Sequence, residues 1–309
     1  MPPKLVVGLM GSSVANGASL LSTPAGMKSF LAICSRHNIH ELDTARVYAA
    51  GGSEAVAGQV GAASSFALST KAPAFAPQSL RRDAIIANFD IYYLHGPDRT
   101  TPLEEQCAAI NQLYSEGKFA RFGVSNISPE EVQQIHDICS REGYCLPKVY
   151  QGGYNPIGRG PEDGLFPLLR KLDMNFYAFS PLGGGLLAKP LQELVKPAKG
   201  TRFDEMKVFG DIYLTEEIMG GLRKVQAACD EADVKLMEAT MRWFRWHSVL
   251  GEGSWGEGNG VIVGASSEAQ LEGSLGAWEK GRLPDNIAEA WEELFQELIR
   301  AGMVPRFHN

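Results

Sequence analysis

Short apolar runs recur along the chain at regular intervals, and each gives way to a stretch with helical spacing. The runs are Lys4–Met10, His40–Thr44, Phe66–Lys71, Ile91–His95, Arg121–Ser125, Val149–Gly152, Phe176–Ser180 and Val261–Gly264. Thr23-Pro24 marks an N-cap and a first-turn proline for a helix reaching about His37, with Phe30, Ile33 and Cys34 on its apolar face. A second helix opens at Ser53-Glu54-Ala55-Val56, with Ser53 as its cap. Others are expected over Pro77–Asn88, from Thr101-Pro102, from Ser128-Pro129, and over Gly164–Leu172. Towards the C-terminus Glu216–Glu231, Val234–His247, Glu268–Trp278 and Pro284–Arg300 read as helices. Strands that alternate with helices pair in parallel through right-handed crossovers, and eight such units close a barrel. The expectation is therefore an α/β protein, a (β/α)8 TIM barrel forming a single domain over residues 1–309. An open doubly wound sheet would want G-x-G-x-x-G after the first strand. Gly11-Ser12-Ser13-Val14-Ala15-Asn16-Gly17 does not supply it.

Three segments depart from the regular unit. Only Pro77–Asn88 separates strands three and four as a helix, so the third helix is expected to be shortened. Gly183–Leu214, after strand seven, is much longer than the usual ~2–6-residue connection. It carries Lys189, Lys196, Lys199, Arg202 and Lys207, with Glu193, Asp204 and Glu205 among its acids, which suggests an anionic ligand beneath it or simply a solvated loop. Gly251–Gly260 precedes strand eight, so it falls at the opposite barrel end and reads as a surface loop without chemistry.

The net charge of −7 argues against non-specific nucleic-acid binding. Five cysteines without a C-x-x-C pair fit free thiols in a reducing compartment. No run reaches the ~20 apolar residues of a membrane span, and MPPKLVVGLM is too short in its apolar part for a signal peptide. A cytoplasmic location is the expectation that remains. A homodimer stays open beside the monomer.

Four ionisable or polar side chains stand at consecutive strand ends: Asp43 and Tyr48 in HELDTARVY, Lys71 at the end of FALSTK, and His95 at the end of DIYYLH. In a parallel barrel these ends converge on one face. A phenol with a pKa near ~10 is a poor acid at neutral pH, and an adjacent ammonium stabilises its phenolate. Lys71 would do this for Tyr48, with Asp43 compensating the buried ammonium and His95 orienting a carbonyl oxygen. Such a set protonates an oxygen while something else attacks carbon. No H-E-x-x-H or Cys/His cluster points to a metal, so an organic hydride donor is the natural complement. Each residue has an ordinary role to set against this: Asp43 as a turn residue, Tyr48 as loop packing, Lys71 as a paired buried amine, His95 as a satisfied core histidine. Their joint, ordered placement carries the reading.

With these residues placed, the sequence resembles the aldo-keto reductases. The matching stretches are ELDTARVYAAGGSEAVAG, STKA, YYLHGPD, FGVSN, YQGGYN, AFSPLGGGLL and VIVGASSEAQLEGSL. LHGPD, YQGGYN and MRWFRWHSVL are most similar to the aflatoxin-aldehyde and succinic-semialdehyde reductase branch. The resemblance implies NADPH-dependent reduction of a small carbonyl substrate, with Tyr48 as acid, Lys71 and Asp43 tuning it, and His95 aligning the carbonyl. It further implies that Ser125, Asn126 and Gln151 bind the nicotinamide carboxamide and that Phe179, followed by Ser180, stacks on the ring. Leu182 and Gly184 would meet the pyrophosphate, with Arg202 and the neighbouring lysines closing over the phosphates. Gly264, Ser266, Gln270 and Ser274 would line the adenosine end. Met10, Ser12, Tyr48, His95 and Arg306 would shape the substrate pocket. The family often has Asn where Ser274 stands. Gly264–Leu275 contains no Lys or Arg, so Lys280 or Arg282 would have to meet a 2′-phosphate and NADH stays open beside NADPH. Two other functions compete: a cofactor-binding regulatory subunit, and a pathway-specific reductase of a natural-product intermediate.

Overall fold

A computed structural model of the chain describes residues 1–11, 20–72, 89–189, 191, 203 and 207–306. Ser12, Arg202, the helix expected over Pro77–Asn88 and most of the basic segment lie outside these residues.

Eight parallel strands close into a barrel in sequence order. They are β1 (Lys4–Gly8), β2 (Glu41–Asp43), β3 (Ala67–Lys71), β4 (Phe89–Leu94), β5 (Phe119–Ser125), β6 (Pro147–Gly153), β7 (Asn175–Phe179) and β8 (Gly260–Gly264). The ring closes where Lys4 of β1 registers with Gly260 of β8. Outside it lie α1 (Pro24–Arg36), α2 (Gly52–Gln59), α3 (Leu103–Ser115), α4 (Pro129–Glu142) and α5 (Leu165–Lys171). They are followed by α6 (Lys207–Tyr213), α7 (Glu216–Glu231), α8 (Leu236–Trp246), α9 (Glu268–Glu279) and α10 (Asp285–Ala301). Ser128 and Glu131 form a reciprocal capping box at α4, and Thr23 caps α1, as their sequences dictate. Ser53 does not cap α2; left-handed Gly51 precedes that helix. The Ser53 hydroxyl instead donates to the Leu9 carbonyl (2.8 Å) and meets Thr44 Oγ1 (2.9 Å), tying α2 to the ends of β1 and β2. The burial of that hydroxyl among strand ends outweighed its local capping preference.

Inside the barrel Val6, Ile91, Tyr93, Val149, Tyr177 and Ile262 form one apolar layer. Tyr93 fits because Gly123 faces it: a Cβ on Gly123 would lie 2.3 Å from Tyr93 Cδ1. Gly123→Ala is therefore expected to destabilise the fold by about 1–3 kcal/mol, the usual cost of overpacking, read as a lowered denaturant midpoint. Below this layer the barrel is ionic. Glu41 accepts from Lys4 Nζ (2.6 Å) and from the Tyr177 hydroxyl (2.6 Å), while the Arg121 guanidinium forks onto Asp90. Around this base Gly251–Gly260 is more than a surface loop. It begins at the end of one 3-10 turn, Val249–Gly251, and folds into another, Ser254–Gly258. Asn259 is fully buried there, accepting from Phe176 N (2.8 Å) and donating to the Leu250 carbonyl (2.9 Å).

Two helices on the barrel's outside are joined by a histidine. His37, at the end of α1, places Nδ1 2.8 Å from Glu279 Oε1 and Nε2 2.8 Å from Glu272 Oε2, both on α9. Burial alone would lower its pKa, but the two carboxylates outweigh this and raise it above 6.5. Arg36 shares Glu272. A pKa raised on folding contributes stability that is complete below the unfolded value and fades as pH rises through the folded one. His37→Gln should therefore lower the melting temperature at about pH 6 and have little effect at about pH 9. The loss should be that of partly exposed pairs, about 0.2–1 kcal/mol.

Candidate active site

The strand ends meet at one mouth of the barrel. Asp43 closes β2, Lys71 closes β3 and His95 follows β4, while Tyr48 begins a 3-10 turn (Tyr48–Gly51) anchored by its N–H to the Ala45 carbonyl (3.0 Å). The Lys71 side chain is 1% exposed, a burial an ammonium tolerates only with partners. Nζ donates to Asp43 Oδ2 (2.6 Å) and to the Thr44 carbonyl (2.8 Å), and lies 5.0 Å from the centre of the Tyr48 ring. Burial pulls its pKa down. The charge of Asp43, then that of a Tyr48 phenolate, and hydrogen bonds to both together reverse this, leaving the pKa raised. The surroundings of Lys71 therefore favour its charged form beside the phenol. The other Asp43 oxygen accepts from Gln151 Nε2 (2.9 Å). The Tyr48 and His95 rings stand edge to face, with centroids 6.3 Å apart. The four side chains expected to act together are thus neighbours.

The next strands bring the expected cofactor residues to the same mouth. Ser125 ends β5, and Asn126 follows in the left-handed region (φ 59°), donating from Nδ2 to the His95 carbonyl (2.8 Å). Among the described residues, Ser125 Oγ and Asn126 Oδ1 are buried without a hydrogen-bond partner. Gln151 lies on β6 and Phe179 ends β7. Ser180, Gly183, Gly184 and Gly185 then have positive φ (53°, 55°, 68° and 110°), forming a tight turn around Leu182. After β8, exposed Gly264 leads to Ser266, whose N–H and hydroxyl both donate to Gln270 Oε1 (2.9 and 2.7 Å). Ser267 caps α9 through the Gln270 N–H (3.2 Å). Ser274 does not join this exposed group; it is 3% exposed within α9. Lys280 is paired with Glu238 (2.6 Å). Met10 is exposed beyond the end of β1. Arg306 is exposed past α10, and among the described residues no hydrogen bond or ion pair links it to the other site residues.

Sequence reasoning passed over two residues here. Tyr93 lies beneath the site, its ring centre 5.8 Å from Lys71 Nζ, and Asn155 is wholly buried behind the Ser180 turn. The strand pattern marked Tyr93 only as apolar. Asn155 had a signal, since it closes the quoted YQGGYN stretch. Among the described residues no group of His, Cys, Asp and Glu is arranged to hold a metal, and no helix is long and apolar enough to cross a membrane. All five cysteines are free.

A closed parallel barrel with its polar groups gathered at the C-terminal strand ends places this chain among the barrel enzymes. Residues 4–296 match the Aldo/keto reductase family, and the chain belongs to it. It is an NAD(P)H-dependent oxidoreductase whose general activity is carbonyl reduction. Among its relatives, "Oxidoreductase sirO" of Leptosphaeria maculans is 39% identical, covering 87% of this chain and 85% of that protein. "Aldo-keto reductase family 7 member A3" of Homo sapiens is 36% identical, covering 82% of this chain and 83% of that protein. "Aflatoxin B1 aldehyde reductase member 2" of Homo sapiens is 33% identical over 324 aligned positions, covering 94% of this chain and 87% of that protein. That alignment is longer than the part of this chain it covers, so the human protein carries residues that this chain lacks. The similarity matches the aflatoxin-aldehyde reductase branch.

Proposed function

We propose that the protein reduces an aldehyde or ketone to the alcohol with NADPH, and that Tyr48 donates the proton. The observation that carries this reading is the buried Lys71 ammonium, held by Asp43 and in contact with the Tyr48 phenol. Electrostatic interaction is reciprocal: a phenolate that helps Lys71 keep its proton is itself stabilised by Lys71. Tyr48 is thereby made a stronger acid towards a carbonyl oxygen lying between it and His95. When bound, the nicotinamide supplies the hydride. The chain's part is to orient the carbonyl with His95, deliver the Tyr48 proton to oxygen as negative charge develops there, and keep Asp43 and Lys71 fixed throughout.

The residues present suit such a cofactor. Ser125 Oγ can donate to a carboxamide oxygen and Asn126 Oδ1 can accept from its nitrogen, which would satisfy both buried atoms. Gln151 stands beside Ser125 in register but turns its amide nitrogen to Asp43, so it serves the catalytic group at least as directly as the cofactor. Phe179 supplies a flat face at the end of β7. The left-handed, glycine-rich turn from Ser180 to Gly185, with Leu182 and Gly184 within it, is the kind of backbone that could approach a pyrophosphate. The choice of NADPH over NADH rests on the resemblance, since Lys280 is engaged by Glu238.

The test is loss of nicotinamide absorbance with NADPH and a panel of aldehydes and ketones, run beside a direct titration of NADPH. Tight NADPH binding without turnover of any carbonyl would favour the regulatory-subunit reading instead.

A further inference from the structure

We propose that Asn155 and Tyr213 form a positioning pair that sets cofactor affinity by holding the turn after β7 in its binding shape. This rests on the reading above, in which that turn meets the pyrophosphate.

The turn cannot hold itself by regular structure. Ser180, Gly183, Gly184 and Gly185 are all left-handed, and Ser180 is not glycine. An L-residue in that region persists only when its surroundings fix it. For Ser180 the fixing groups are visible. Its carbonyl accepts from the Gly183 N–H (3.0 Å) and from Asn155 Nδ2 (3.3 Å). The same Asn155 nitrogen donates to the Tyr213 hydroxyl (3.1 Å). Asn155 Oδ1 accepts from the N–H groups of Ile157 (3.2 Å) and Gly158 (2.8 Å), which fixes the amide's orientation. Its donor and acceptor capacity is thus fully used, and both Asn155 and Tyr213 are 0% exposed.

Tyr213 holds the turn from its other side. A Cβ on Gly183 would lie 3.6 Å from Tyr213 Cζ, so the phenol ring packs directly against the backbone of that glycine. Tyr213 also ends α6. One buried amide therefore ties together the loop after β6, the start of the turn after β7 and the end of α6. The hydrogen bonds of the Asn155 side chain go to Ser180, Tyr213, Ile157 and Gly158, not to the catalytic side chains. Their effect should fall on how well the turn is pre-formed for the phosphates, because a ligand that must itself order its site binds more weakly.

The experiment is a double-mutant cycle of Tyr213→Phe and Asn155→Ala, read by NADPH titration through tryptophan fluorescence and by steady-state kinetics. Tyr213→Phe keeps the ring against Gly183 and deletes only the hydroxyl. It should raise the NADPH Kd about three- to tenfold, the worth of one buried hydrogen bond. KM for NADPH should rise with it, by more than kcat at saturating NADPH falls. In the Asn155→Ala background the same tyrosine change should cost little more. Equal affinity in Tyr213→Phe and the unaltered protein would overturn the proposal. So would strictly additive losses, or a melting temperature in Tyr213→Phe so depressed that weaker binding follows from unfolding. If the unaltered protein binds no NADPH, the functional reading itself falls, an outcome seen before any variant is made.

Discussion

Tyr48→Phe should bind NADPH with near-normal affinity and reduce aldehydes roughly 10²–10⁴-fold more slowly, the usual contribution of a positioned acid. The expectation comes from what the substitution spares. The phenyl ring would still lie 5.0 Å from Lys71 Nζ and edge to face with His95, so the packing of the mouth is kept. The groups proposed to face the cofactor, Ser125 and Asn126, lie at the end of β5, away from the turn that carries Tyr48. Only the transferable proton is lost, so kcat and kcat/KM for the carbonyl should fall together, the signature of an interaction made in the transition state. Paired measurements of NADPH binding and turnover separate this from misfolding. Turnover within about twofold of the unaltered enzyme would remove Tyr48 from the mechanism.

The largest effect on stability is expected at Lys71. Lys71→Met matches the chain length but leaves the Asp43 carboxylate, 3% exposed, with Gln151 as its remaining side-chain donor. Breaking one side of a buried ion pair typically costs ~3–5 kcal/mol, a large share of a domain's net stability. Urea unfolding should therefore show a much lower midpoint. Adding Asp43→Asn removes the stranded charge and should recover part of that loss without recovering turnover. Recovery of stability assigns the cost to an uncompensated carboxylate. Failure to recover any would mean that Lys71 stabilises chiefly by its contacts with Thr44, Tyr48 and Tyr93.

The barrel was legible because its strands, buried on both faces, read as near-continuous apolar runs. The four chemical side chains stood out because the sequence places charge where such runs end. Less visible was which groups pair across the interior. Glu41 and Arg121 read as strand residues of no special note, yet they seat the ionic base, because their partners Lys4, Asp90 and Tyr177 lie on strands far away in sequence. Ser53 looked like a helix cap for the same reason in reverse: local preference is readable, while its tertiary partners Leu9 and Thr44 are not. Asn155 sat inside a quoted motif without a role, since its value lies in Ser180 and Tyr213, on segments 25 and 58 residues away. Met10 was placed near the chemistry by strand order and Gln151 by the family resemblance, and only the structure turned Gln151 towards Asp43.

Because Lys4 registers with Gly260, the first strand of the barrel to leave the ribosome waits for the last before its hydrogen bonding is complete. Until then β1 carries a row of unpaired backbone groups, the kind of edge that recruits other chains. At ~5–20 residues per second, translation of the intervening chain leaves that edge open for many seconds. Newly made protein should therefore depend on chaperones more than the finished barrel does, and fragments ending before Gly260 should aggregate.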